Sequence, residues 1–323
     1  MKVKSIMLFM CLLLNGQFVN ADAPSKLQSE NNNSTGIFKQ INPEFLYSYI
    51  DFNFDSTTGG NFNRFQGHSN LFTVGADNLV LNKDVTAGIY VFKINTNLNS
   101  QFLLAPSTTE TDVSQTIHNN TLFAHVLKSF NPQFTVDLAG GYGQNKISSQ
   151  TFIMPNTSSQ LLGFTNFRNT NWFTSIYGIY NKSWDKIVLK TNVGVLYSQI
   201  NSGSYLLSFQ SAFPAQIIAP LTNKVTYVIE GAEIGYILNS EIVPFINGAL
   251  IQVAQFSNSR PTLTTPINGS LPQLNVNQNG FRVGAGLTYS HKQFSLRLEE
   301  KYYNAGGVFT SYQTLVGLAY RFS

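Results

Sequence analysis

The chain is poor in charge, in cysteine and in long apolar runs, and each shortage excludes something. Only 11% of its 323 residues are charged, under half of the roughly 25% found in soluble domains. An ordinary water-facing surface is hard to build from such a supply. The single cysteine, Cys11, leaves no internal disulfide and no thiolate metal site. After the first twenty or so residues, no apolar run approaches the roughly 18 residues that a membrane-crossing helix needs. The formal net charge of +4 includes Lys2 and Lys4 at the extreme N-terminus, so the remainder offers nucleic acid no basic face. The four histidines, His68, His118, His125 and His291, are scattered. None stands in a His-x-Ser arrangement, which would put base and nucleophile on one face of a strand. Ala139-Gly-Gly-Tyr-Gly143 lies within an alternating segment with no helix behind it, so its glycines read as packing positions and not as a phosphate loop. We therefore expect no enzyme, no cofactor, no metal site and no nucleic-acid partner.

Aromatic residues, by contrast, reach 13%, with 26 Phe and 15 Tyr. At the N-terminus, Lys2 and Lys4 precede an apolar run from Ile6 to Leu14, and Val19-x-Ala21 follows. That order is a secretory signal peptide, residues 1–21, with cleavage expected after Ala21. Cleavage after Ala23 is the alternative, disfavoured by Pro24 in the next position. Cys11 follows Phe9 and Met10, not the small residues of a lipid-attachment site. Residues 22–43 are polar and Asn-rich, without apolar periodicity, and read as a short periplasmic or luminal segment that does not fold by itself.

From residue 44 to 323 the chain alternates. "LVGLAYRFS" at the end carries Val316, Leu318, Tyr320 and Phe322 on one face and Gly317, Ala319 and Arg321 on the other. "GFRVGAGLTYS" (280–290) and "FSLRLEEKYYN" (294–304) repeat the pattern. Such a period of two means strands with unlike surroundings on their two faces. Similar segments near 44–54, 69–81, 84–95, 114–129, 133–146, 170–181, 186–199, 223–238 and 242–255 bring the total to about twelve. Short turns, as at 81–84, 131–132, 181–185, 239–240 and 291–292, alternate with longer connections rich in Asn, Ser, Thr and Gln. Export, low charge and this spacing predict an all-β fold: a transmembrane up-and-down antiparallel β-barrel. Its sheet must close, because hydrocarbon offers backbone polar groups no other partner. The aromatics at strand ends would lie at the interfaces, with Tyr289, Phe294, Tyr320 and Phe322 on the short-turn side and Tyr302 and Tyr312 opposite. Glu230 and Glu300 fall on faces that should meet lipid, which would place them near a strand end or a bulge.

The ending resembles the assembly signal of bacterial outer-membrane barrels, matched by Gly317, Tyr320 and Phe322, with Leu315 and Ser323 as departures. More broadly, "LFTVGADNLV", "AGIYVF", "EGAEIGYIL", "VPFINGAL", "RVGAGLTYS" and "TLVGLAYRF" in this order resemble an autotransporter β-domain. The resemblance implies a twelve-stranded barrel in the bacterial outer membrane, in contact with its lipid and inserted by the barrel-assembly machinery. Only 22–43 stands where that family carries an exported passenger, so a translocation role is not expected. Lys190, Arg282, Arg297, Glu299, Lys301 and Arg321 should point into the lumen on the phase of the last three strands. Mixed charges there suit a narrow pore, or equally a salt-bridged and sealed interior. Two functions follow: a small channel or structural component, or a surface protein whose long loops, such as 147–169, 200–222 and 256–279, contact a host or abiotic ligand. Mass spectrometry of the exported protein should find Asp22 as its first residue; a chain starting at Pro24 would move the cleavage site to Ala23.

Overall fold

Hydrogen bonding joins twelve long strands into a closed ring, as seen in a computed structural model that describes residues 41–57, 62–104, 109–259, 262–263, 269–270 and 278–322. The signal segment with Ala21 and most of the 22–43 segment lie outside the described residues. The strands are β1 (Asn42–Asp55), β2 (Asn63–Asn82), β3 (Val85–Leu104), β4 (Thr109–Ser129), β5 (Phe134–Ile153), β6 (Leu161–Trp184), β7 (Ile187–Ser202), β8 (Tyr205–Phe209), β9 (Gln216–Ile218), β10 (Leu221–Tyr236), β11 (Ile242–Asn258), β12 (Thr262–Leu263), β13 (Gly269–Ser270), β14 (Gly280–His291), β15 (Phe294–Ala305) and β16 (Phe309–Tyr320). No helix occurs among the described residues. The ring runs β1 to β7, then β10, β11, β14, β15 and β16, with every neighbour antiparallel. The seam joins the first strand to the last, from Glu44 opposite Ala319 to Phe54 opposite Phe309. The four short strands form a small flap on the top of β6. There β7 stops at Ser202 opposite Asn169, and β8 takes over as partner of Gly163 and Phe164.

The expected twelve strands are all present, but most are longer than their apolar alternation suggested. β3 and β4 run to Leu104 and back from Thr109, through residues that read as a polar loop. The last strand is shifted the other way. It spans Phe309–Tyr320 and stops short of the Phe322 that the alternation reaches, because the turn at Lys292 sets the register in which Phe294 faces Tyr320 and leaves Phe322 without a strand partner.

The outward face explains the added length. On one register row Val74, Val91, Leu122, Tyr142 and Trp172 stand side by side from β2 to β6. Two residues further from the short turns the row reads Phe72, Lys93, Asn120, Gln144 and Thr170. The next is Asn70, Asn95, His118, Lys146 and Arg168, and the next His68, Asn97, Thr116, Ser148 and Asn166. The apolar wall ends within a single row, which marks where hydrocarbon gives way to water. Above it the alternation keeps its phase and inverts its polarity. Asn97, Asn99 and Gln101 are exposed, while Leu98, Ser100 and Phe102 are buried inside. The upper barrel is built like a soluble protein, polar outside and packed within.

Aromatic pairs edge the apolar band on both sides, as amphipathic rings do at membrane interfaces. At the upper edge the rings of Trp172 and Tyr197 lie 4.9 Å apart, and those of Tyr302 and Tyr312 5.1 Å. At the lower edge Phe130 pairs with Phe134 at 5.8 Å and Tyr320 with Phe322 at 5.2 Å. Glu230 and Glu300 break the pattern: both are exposed on the outward face. Contrary to expectation, neither is near a strand end, and the bulge at Thr226 and Tyr227 lies above Glu230. Each is flanked in register by band residues, Val193 and Leu250 for Glu230, Ala285 and Thr314 for Glu300. Carboxylates on a lipid-facing wall are costly in proportion to depth. Glu230→Leu and Glu300→Leu should each stabilise the folded barrel by about 1–2 kcal/mol, read as a higher urea midpoint in phospholipid vesicles.

Candidate functional site in the barrel interior

Two charged clusters sit in the lower, membrane-level half of the interior, on opposite walls. The first is built on β15, where the period of two sends Arg297, Glu299 and Lys301 inward. Arg297 reaches Glu233 of β10 at 2.6 Å and its own neighbour Glu299 at 3.1 Å, and Lys301 Nζ lies 3.1 Å from Glu299. Asn247 of β11 donates a further hydrogen bond to Glu299. The Arg297 guanidinium also stacks over the Phe245 ring at 3.9 Å, a cation–π contact strengthened by the dry surroundings. Room for these long side chains comes from β14, whose inward positions are Gly280, Arg282, Gly284 and Gly286. A Cβ on Gly286 would come within 2.4 Å of the Phe245 ring, and one on Gly284 within 3.0 Å of the Lys301 stem.

The second cluster centres on His125 of β4. Its Nδ1 lies 3.2 Å from Asp137 of β5 and its Nε2 3.3 Å from Asp77 of β2. Asp77 reaches it because β2 carries a bulge at Asp77 and Asn78, with Asn78 at φ 59°, and bulges re-aim side chains in this way. Gly88 opposite leaves the space, since a Cβ there would meet the imidazole at 2.3 Å. Tyr90 next to it donates to Glu44 at 3.1 Å.

Between and above these clusters the interior is a packed core. A continuous group of buried apolar side chains, among them Phe54, Leu71, Phe92, Ile117, Ile147, Leu196 and Tyr227, draws members from every ring strand except β14. Rings lie over glycines of adjoining strands, Phe52 over Gly67, Tyr90 over Gly75, Phe173 over Gly141 and Tyr177 over Gly194. Between them runs a chain of amides in which Asn119 donates to Asn145 and Asn171, and Asn145 donates to Asn169. At the mouth, Tyr205 and Leu207 of β8 and Ile218 of β9 join Phe102, Val113 and Ile153 in a second core. The Tyr205 ring stacks on Phe167 at 3.9 Å, and burial pushes its phenol well above the usual range, so it stays neutral. The 200–222 connection thus does not stand free as a loop; its β8 and β9 fold against the mouth.

Of the residues expected in the lumen, Arg297, Glu299 and Lys301 form one cluster and Arg282 lies beside it, in register with Tyr303. Lys190 occupies the inward register position opposite Glu233 and Asn181. Arg321 stands apart, just past β16 at the lower rim, where its backbone N–H bonds to Gln293. Gly317 is paired between Leu46 and Arg297, and Tyr320 closes the last strand. Sequence reasoning missed Glu233, Asn247, Phe245 and the whole His125 cluster. The phase of β10 would have turned Glu233 inward, but the bulge that aims Asp77 left no such signal. Among the described residues no group of His, Cys, Asp and Glu has metal-site geometry.

Comparison with known proteins comes to the same architecture. A family model described as "Autotransporter beta-domain" matches residues 49–300. The translocator domain of NalP from Neisseria meningitidis superposes with a TM-score of 0.64 at 14% identity, covering 90% of each chain. The transport unit of AIDA-I from Escherichia coli gives 0.56 at 9% identity, covering 92% of this chain and 94% of its own. The β domain of the Bordetella autotransporter BrkA gives 0.54 at 11%, covering 87% and 99%. At such identities these likenesses speak of fold alone. No curated protein sequence matches the chain.

Removing one partner from a buried ion cluster leaves the others uncompensated. Glu299→Gln should therefore cost about 3 kcal/mol of barrel stability, seen as earlier unfolding in urea, while Lys128→Gln at an exposed ion pair should change almost nothing.

Proposed function

We propose a function from one premise: the chain belongs to the autotransporter β-domain family. Its barrel shares the fold of translocator domains, a fold consistent with a bacterial outer-membrane protein. The finer reading is a sealed outer-membrane barrel whose working surface is its polar wall and outer connections, a structural or surface-interaction component. One observation carries it. Inward side chains of the upper barrel are buried almost completely, with Phe54, Leu71, Ile117, Ile147 and Ile200 at 0% exposure. A water-filled pore would wet the side chains that line it. A bore of about twelve strands is small enough for large rings to fill.

The channel reading draws on a different observation, the mixed charges of the lower interior. Their pairing argues for a structural role, because the cations Arg297 and Lys301 are met at contact distance by the carboxylates Glu233 and Glu299. The tall outer wall supports an interaction role, since a barrel that only had to span the membrane could stop at its upper aromatic edge.

Single-channel recording of the refolded protein in planar bilayers separates the two readings. The sealed barrel gives no discrete steps, whereas Phe92→Ala combined with Phe123→Ala should introduce them by hollowing the core. Steps in the unaltered protein, with ion selectivity that shifts in an Arg282→Glu/Arg297→Glu variant, would overturn the reading in favour of a channel.

A further inference from the structure

Just above the apolar band, the outward wall carries three nitrogen bases in a row. His118, Lys146 and Arg168 occupy adjacent register positions on β4, β5 and β6, and all three are exposed. Lys93 on β3 sits diagonally below, one row closer to the membrane. Neighbouring strands are about 4.8 Å apart, so Lys146 and Arg168 face each other directly across a strand pair. Like charges in that position destabilise a sheet. Some exposed cations of this protein are paired, Arg64 with Asp55 at 3.2 Å and Lys128 with Asp84 at 3.6 Å. Others, such as Lys83, Lys186 and Lys224, make no ion pair among the described residues but have no like charge opposite them. Among the described residues, none of Lys93, Lys146 and Arg168 makes an ion pair. The outward residues around them on β4 to β6, including Asn120, Gln144, Asn166 and Thr170, are neutral.

The placement says what neutralises them. The patch faces sideways, along the membrane plane, and begins one or two rows above Val91, Leu122, Tyr142 and Trp172. What lies beside a barrel at that height is the headgroup layer of the outer leaflet. From this we infer that Lys93, His118, Lys146 and Arg168 form a binding site for the phosphorylated headgroup of a glycolipid in that leaflet. Lysine and arginine supply charge-assisted hydrogen bonds to phosphate oxygens, and arginine can make two in parallel. The His118 ring is held by Asn95, 2.8 Å from its Nδ1, so Nε2 is the ring nitrogen not engaged by Asn95. The rows above, with Asn97, Thr116, Ser148 and Asn166, present amides and hydroxyls at the height of the attached sugars. This site is independent of whether the lumen conducts.

The test uses the full refolded chain in nanodiscs of phosphatidylcholine, alone or with a minor fraction of the bis-phosphorylated glycolipid lipid A, and reads the melting temperature and the lipid retained in native mass spectrometry. Lipid A should raise the melting temperature and remain bound. Lys146→Gln/Arg168→Gln should weaken retention about 30-fold, taking the usual gain per basic residue near a charged membrane surface, without lowering stability in phosphatidylcholine alone. Lys224→Gln, on the far wall, should retain lipid A like the unaltered protein. Equal retention by the double variant would overturn the site, as would equal retention of a dephosphorylated lipid A. A matching stabilisation by inorganic phosphate would also overturn it, since the patch would then be a general anion site and not a lipid one.

Discussion

Everything in this molecule depends on backbone groups having nowhere else to go. In hydrocarbon an unpaired N–H or C=O costs several kcal/mol, so the sheet has to meet itself, and β1 with β16 is where it does. The seam is long, eleven residue pairs from Glu44 to Phe54, and both of its strands are apolar outward, with Phe45, Tyr47 and Tyr49 against Val316 and Leu318. Closure fixes the parity of all twelve strands at once. Once Tyr320 faces lipid, Arg297 must face inward, and through the ladder so must Asp137 and His125. The interior chemistry is a consequence of where the outside has to be greasy.

That chain of dependence also explains what could be read from the residues alone. Lipid on one side and a lumen on the other produce a sharp alternation, so strands such as Gly280–His291 and Phe294–Ala305 announce themselves. The upper halves of β3 to β6 were harder to see because the environment changes while the phase does not. In Thr96–Phe102 the apolar positions are the inward ones, Leu98 and Phe102, and the outward ones are Asn97, Asn99 and Gln101. A segment with half as many apolar residues, now on the other face, resembles a polar loop. The tell is that Asn and Gln recur at every second place. Loops have no reason to keep such a beat.

Legibility of the interior follows the same logic. Arg297, Glu299 and Lys301 share one clean strand, and their common direction is plain from spacing. Whether they meet Glu233 depends on the stagger between β10 and β15, which two intervening strands and a bulge help to set. Asp77 is more opaque still. An alternating strand gives no warning that Asn78 adopts a left-handed backbone and turns its neighbour toward His125. Glycine was a better guide than it looked. The inward glycines of β14 are hollows that the rings and stems of β11 and β15 fill, so a glycine-rich strand beside aromatic-rich ones signals a packed interior.

The height of the wall and the state of the lumen are then one question. Ordering a residue costs roughly 1–2 kcal/mol of backbone entropy, and β2 to β6 carry about four rows beyond the apolar band. Lipid cannot stabilise those rows, because they stand in water. Their outward side chains are polar and recover little. The stabilisation has to come from inside, through burial of Phe54, Phe65, Phe92, Leu98, Ile117 and Ile147 at about 25 cal/mol per Å² of apolar surface. A wet lumen at that level would remove the term that holds the wall up. The strand that stops at the band bears this out: β14 begins at Gly280, beside Phe281, and contributes nothing to the apolar core, whereas β15 and β16 reach a little higher and supply Tyr303, Ala305 and Phe309. Tall strands and a filled upper interior come together, while β14, which stops at the band, turns glycines and Arg282 inward.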